Sequence, residues 1–263
     1  SEMEEMQVRI NELENMTSCR LVPYSNCAGA DFNNTNLSGM DLTGINFQNA
    51  VLTEANLTGA DLRYSNLAVA NLRYADLTGA DLRYSNLAGA DLRYADLTLA
   101  YLRYADLTDA SLWYADLTSA DLWYADLTDA RLYDADLASA DLWYADLTRA
   151  DLRYSDLTDA ALFDADLASA DLWYADLTRA NFRYAELTNA KLYDADLTDA
   201  NLNYADLTNA DFQDADLEDA TLVEADLKFA KFSGATVTGA NFDDTYWHET
   251  MWTNGVRYDT NQA

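Results

Sequence analysis

From Ala30 to Asp244 an apolar side chain returns at every fifth position. Leu or Phe stands at Phe32, Leu37, Leu42, Phe47 and onward to Phe242, with Val237 the one exception, and Ala or Ser usually sits two places earlier. The register runs through 43 pentapeptides without insertion or deletion. On an α-helix five residues advance about 500°, so successive leucines are offset by about 140° and spiral over every face. On a straight strand an odd period sends alternate leucines to opposite sides of the sheet. Both conflicts vanish if each unit is a short extended segment closed by a corner. The chain then winds as a polygon with Ala and Leu inside and the other three residues outside, each coil hydrogen-bonded to the next about 4.8 Å away. The pattern predicts an all-β solenoid.

A ten-residue alternation sets the number of sides. Arg-Tyr or Trp-Tyr follows one leucine, and Thr or Ala plus a variable residue follows the next. Four sides per coil stack like on like, whereas three would set tyrosines on small residues, so a coil of twenty residues is expected. About eleven such coils at about 4.8 Å make a rod a little over 50 Å long.

The repeats ADLRY, ADLTG, SNLAG and ADLWY resemble those of the pentapeptide-repeat family. The resemblance covers roughly four-fifths of the chain. It implies a right-handed quadrilateral β-helix, while the family spans many roles, so the fold does not settle function.

With one proline, Pro23, and nine glycines, the corners do not depend on glycine. The Asp or Asn before each leucine is expected to accept a backbone N–H there. No apolar run is long enough to span a membrane, and no basic-then-apolar signal segment opens the chain. Ser1, in place of Met, fits a removed tag or leader, and a cytoplasmic location is expected.

Three segments follow from the change of beat: an amphipathic helix and N-terminal cap over 1–19, the solenoid over 20–244, and an aromatic C-terminal cap over 245–263. Met3, Met6, Ile10 and Leu13 fall at helical spacing opposite glutamates. That short α-helix covers the open end of the first coil, or forms a brief coiled-coil contact with a second copy. Cys19 and Cys27 have no histidine near them and make a poor metal site, so a buried thiol is expected at Cys27. At the far end Trp247 and Trp252 keep the five-residue register and plug the last coil, unless that end is a dimer contact. The chain is therefore a monomer or an end-to-end homodimer. The one histidine, His248, belongs to this cap.

Nothing in the coils points to catalysis or to a cofactor. Carboxylates are abundant, but general acid and base pairs need a pocket that separates two pKa values, and a core of Leu and Ala leaves none. Glycine-rich phosphate loops, nucleophile elbows and calcium-binding glycine-aspartate nonapeptides are missing. The chain reads as a protein that is not an enzyme.

The surface carries more. A twenty-residue coil aligns Tyr64, Tyr84, Tyr104, Tyr124 and Tyr144 in one column, with Trp123 and Trp143 beside it. This is a stacking ladder that stiffens the rod, or a strip for a partner. Asp76, Asp96, Asp116, Asp136, Asp156, Asp176, Asp196 and Asp216 form an unbroken acidic column. Adjacent charges at about 4.8 Å repel by roughly 1 kcal/mol in water before salt screening, a cost asparagine avoids. Charge is also uneven along the axis. Residues 30–105 hold eight acidic and five basic side chains, net −3; residues 106–230 hold twenty-nine and seven, net −22; the tails bring the total to −30. Such a surface repels nucleic acid and anionic membrane and favours a protein partner with a basic surface.

Two functional classes fit. One is a non-catalytic scaffold for other proteins. The other is an acidic DNA mimic, since the resemblance extends to quinolone-resistance members that act on type II topoisomerases, although this chain lacks the projecting loops that interrupt several of them. Threonine columns such as Thr58, Thr78, Thr98 and Thr118 give ice binding as a minor alternative, weakened by the flanking aspartates. A recurrence every thirty residues, at Arg131 to Asp134, Ala161 to Asp164 and Lys191 to Asp194, points to gene duplication, while units this uniform also resemble consensus engineering.

Overall fold

The computed structural model describes residues 19–260. Every coil takes twenty residues: Asp81 bridges back to Asp61 and forward to Tyr101, and the same parallel pairing continues from Asn26↔Asn46 to Lys231↔Met251. The Asp81 N–H donates to the Ala60 carbonyl of the preceding coil at 2.9 Å, and the Leu82 N–H donates to the Tyr101 carbonyl of the next at 2.7 Å. The four sides expected from the ten-residue alternation are thus present. The core holds two layers from each unit, with the leucines of the five-residue register from Leu42 to Leu227 at 0% exposure and the alanines two places before them nearly so.

Each corner closes with a hydrogen bond three residues long, as from the Ser65 N–H to the Leu62 carbonyl at 3.1 Å. The third residue of that turn is left-handed, with φ 60° at Tyr64 and 58° at Val69. This conformation marks a type II turn and ordinarily asks for glycine. Here Tyr, Asp, Ser, Arg, Val and Leu adopt it, at a cost of about 1–2 kcal/mol for each L-residue. Inter-coil hydrogen bonds on both sides hold it in place. The Asp or Asn before each leucine completes the corner as expected: Asp116 Oδ1 accepts the Thr118 N–H at 2.9 Å, and Asn66 Oδ1 accepts the Ala68 N–H at 3.1 Å.

A serine in an alanine slot turns its hydroxyl onto its own corner. Ser85 and Ser155 donate to the Leu82 and Leu152 carbonyls at 2.7 and 2.6 Å. The Ser65 hydroxyl, equally buried, has no partner.

The two ends differ from the coils. The expectation of a buried thiol at Cys27 is corrected: Cys27 is joined to Cys19 by a disulfide, with Cα atoms 5.0 Å apart. The eight-residue separation of the two cysteines did not reveal that the first coil folds one over the other. The helix expected from Met3, Met6, Ile10 and Leu13 lies outside the described residues. At the other end Trp247 and Trp252 are each 8% exposed with centroids 5.0 Å apart, Trp252 lying over Phe232 and Phe242. A short antiparallel hairpin of β1 (Thr250–Met251) and β2 (Arg257–Tyr258) follows.

Candidate interaction faces

The four sides of the coil carry two kinds of surface, and like surfaces lie opposite each other. One side presents the column Asp76 to Asp216, whose eight members bridge in sequence at twenty-residue spacing. Across the body stands a second acidic column, Asp106, Asp126, Asp146, Asp166, Glu186, Asp206 and Asp226. Only the first column is among the features expected from the sequence, although the same twenty-residue count gives both.

The corner explains how aspartates stand in line at coil spacing. One oxygen of each carboxylate is occupied locally: Oδ1 of Asp96, Asp136 and Asp196 accepts the N–H two residues on, each at 2.9 Å. Asparagine fills the same role at Asn36, Asn56, Asn66 and Asn86, so the geometry needs an oxygen and not a charge. Among the described residues no Lys or Arg forms an ion pair with any of the eight aspartates from Asp76 to Asp216, and in the opposite column Asp226 alone is paired, with Lys228 at 2.6 Å.

The other two sides are aromatic and close to neutral. Asp61, Asp81, Asp91 and Asp151 are each held by the arginine two residues on, at 2.5 to 2.7 Å. The hydrogen bond from Arg63 keeps the Asp61 carboxyl below the usual range. Lysines neutralise Asp171 and Asp211 from the next coil. The net charge is therefore sorted by face as well as along the axis.

On these neutral sides the predicted ladder is in place. Tyr64, Tyr84, Tyr104, Tyr124 and Tyr144 stack with centroids 4.8–5.2 Å apart and ring planes within 8°. Trp123 and Trp143 stack beside them at 5.2 Å, and the Arg103 guanidinium lies 4.8 Å over Trp123. The opposite side repeats the arrangement through Tyr74, Tyr94 and Tyr114, then Tyr154 and Tyr174. Where Asp134 or Asp164 interrupts a column, the ring one residue earlier leans across: Tyr133 sits 5.3 Å from Tyr154, and Phe163 sits 5.4 Å from Tyr184. Beside Trp143, burial raises the Asp141 carboxyl above its ordinary value. Among the described residues no cluster of three or more metal-ligating side chains occurs, and no helix is long and apolar enough to cross a membrane.

A solenoid of four-unit coils with Leu and Ala inside and an Asx-closed corner defines a repeat protein whose surface is independent of its core. The profile for pentapeptide repeats matches in eight copies that span residues 25–63 and 70–246, and the chain belongs to that family. Among solved structures it is similar to HetL, a pentapeptide repeat protein involved in heterocyst differentiation regulation in the cyanobacterium Nostoc sp. strain PCC 7120. Identity is 36%, over 87% of this chain and 92% of HetL, with a TM-score of 0.38. A pentapeptide repeat protein from the Arabidopsis thaliana thylakoid lumen is 30% identical over 43% of this chain and 71% of its own, with a TM-score of 0.31. The plasmid-mediated fluoroquinolone resistance protein QnrB1 is 16% identical over 75% of this chain and 91% of its own, with a TM-score of 0.35. No curated protein sequence matches significantly.

Proposed function

We propose that the protein is a non-catalytic rod, wound right-handed as its family resemblance implies, that holds a basic protein partner along its acidic sides. The observation that carries this reading is the pair of opposed carboxylate columns, fixed to the corners and, among the described residues and Asp226 apart, without an ion pair, beside aromatic sides on which Asp61, Asp81, Asp91 and Asp151 are paired with arginine. Ordered charges on a frame that does not move avoid most of the side-chain entropy cost of binding. They also speed encounter with an oppositely charged surface. Among the described residues the core is filled by leucine and alanine side chains at or near 0% exposure, and Trp247 and Trp252 serve as the end plug. The test is capture of basic proteins from the native host at two salt concentrations, with wild type and with Asp116, Asp136, Asp156, Asp176 and Asp196 changed to Asn. The corners keep their Oδ1 acceptor in the variant, so the fold survives. Partners retained equally by both forms overturn the reading.

One observation favours DNA mimicry as a second reading. Residues 106–230 carry net −22 and fill about six coils, about 30 Å of axis. That gives about one charge per 1.4 Å against about one per 1.7 Å in duplex DNA. Like a duplex, the rod carries its charge along two flanks. Competition with linear duplex DNA for a DNA gyrase separates the two readings. Mimicry requires competition that weakens as salt rises and is largely lost in the five-asparagine variant.

A further inference from the structure

The tyrosine ladders bring phenols together in a way that neither packing nor partner binding requires. In Tyr64–Tyr84, Tyr84–Tyr104 and Tyr74–Tyr94 the rings lie within 9° of parallel with centroids 4.9–5.2 Å apart. Nearly parallel, equally placed rings set equivalent ring carbons at about the same separation. The rings are also accessible, with exposures of 57% at Tyr64, 49% at Tyr74 and Tyr84, and 44% at Tyr94. Each column is a row of chemically equivalent phenols in mutual contact, so a radical formed on one ring has a phenol on the next coil as its nearest neighbour.

We propose that these ladders are sites of oxidative tyrosine–tyrosine crosslinking between successive coils, driven by a peroxide-dependent one-electron oxidant. Each of two stacked phenols gives up one electron and one proton. The two phenoxyl radicals join through ortho carbons, and the hydrogen displaced from each carbon moves to its oxygen. One hydrogen peroxide takes up the two electrons and two protons and leaves as two waters. The product is a dityrosine bridge between neighbouring tyrosines on successive coils, a covalent rung across hydrogen bonds that already hold the coils. Exposure of the rings lets them tilt into bonding distance.

The chain contains its own controls. Tyr101 and Tyr246 are 50% and 56% exposed, as open as the ladder tyrosines, yet neither stacks on another ring. In the first column Phe163 lies between Tyr144 and Tyr184, its centroid 6.0 and 5.4 Å from them, and it has no hydroxyl to oxidise. Crosslinks are therefore expected above and below this point but not across it.

The experiment treats the dilute full-length protein with a haem peroxidase and hydrogen peroxide, then follows dityrosine fluorescence, mass on a denaturing gel and crosslinked peptides by mass spectrometry. The expected result is dityrosine in a species of monomer mass, confined to ladder tyrosines whose rings are neighbours on successive coils, with none joining Tyr144 to Tyr184. Tyr84→Phe, which keeps the stack, should remove the Tyr64 and Tyr84 to Tyr104 crosslinks and leave Tyr74–Tyr94 intact. Dityrosine found only in dimers and larger species, crosslinks at Tyr101 or Tyr246 at yields equal to the ladder, or no dityrosine at all, would each overturn the proposal.

Discussion

The Arg73 N–H donates to Asn71 Oδ1 at 3.2 Å, while the Nε of the same side chain is buried with no hydrogen-bond partner. One coil on, Arg93 meets Asp91 through Nε and Nη2 at 2.7 and 2.6 Å. The difference is a single charge on an otherwise identical corner. Asn71→Asp should complete the pair and raise stability by about 0.5 kcal/mol, the usual scale for an exposed bidentate pair. Chemical denaturation checks it, and an unchanged or lower midpoint at low salt contradicts it.

Ser65 and Ser85 occupy the same slot one coil apart, but only Ser85 has a partner for its hydroxyl. A buried hydroxyl without a partner costs about 1–3 kcal/mol, whereas a satisfied one contributes about 1. Ser65→Ala should therefore stabilise by roughly 1 kcal/mol and Ser85→Ala should be neutral to mildly destabilising. Equal shifts in the two melting curves refute the distinction.

Val69 combines a left-handed backbone, φ 58°, with a β-branched side chain that is 59% exposed and buries little in return. Val69→Gly relieves about 1–2 kcal/mol of backbone strain and adds about 0.5–1 kcal/mol of chain entropy to the unfolded state. A small net gain is expected. Tyr84→Gly removes the same strain but also two stacked neighbours, so it should destabilise. Denaturation of the two variants side by side gives the comparison, and a loss for Val69→Gly is the contrary result.

Asp141 supplies a pH test. Burial raises its carboxyl above the ordinary value of 3.8, so the folded state binds its proton more tightly than the unfolded chain does. Ionised Asp141 thus costs stability near neutral pH, and that cost fades as pH falls through the folded value towards 3.8. Asp141→Asn, which keeps the oxygen for the Trp143 N–H, should stabilise at pH 7 and lose its advantage in acid. Asp61 has the opposite sign: its carboxyl is held below 3.8 by Arg63, so its contribution is present above 3.8 and lost only as pH falls through the lowered folded value. Asp61→Asn should therefore weaken the protein at neutral pH. Stability curves of the two variants that run parallel across this range contradict the assignment.

The core, the twenty-residue coil, the Asx-closed corner and the stacked tyrosines were all legible because each depends on a residue's place in the five-residue beat. The left-handed corners were not. Val69, Leu99 and Arg149 adopt a conformation associated with glycine, and the inter-coil hydrogen bonds that impose it are set by tertiary pairing. The disulfide was hidden for a related reason: Cys19 and Cys27 become neighbours only once the first coil has turned. Tyr133 and Phe163 looked like departures from the pattern, and only three-dimensional stacking shows that they carry the ladder past Asp134 and Asp164. The concentration of unpaired charge on two sides required the arginine geometry at Asp61, Asp81 and Asp91.

Because acidic and aromatic sides alternate at each step of five residues, the rod has an approximate screw symmetry of half a turn per ten residues. Gain or loss of ten residues rotates everything downstream by half a turn and brings each kind of side back onto its own kind. Five residues impose a quarter turn, which sets the tyrosine columns over the small and variable residues that follow threonine or alanine, such as Gly79, Gly89 and Ser119, and breaks the stacking. Insertions or deletions of ten residues therefore keep the sides sorted, and those of five do not. The thirty-residue recurrence at Asp134, Asp164 and Asp194 obeys that rule, its copies falling on alternate aromatic sides of the rod.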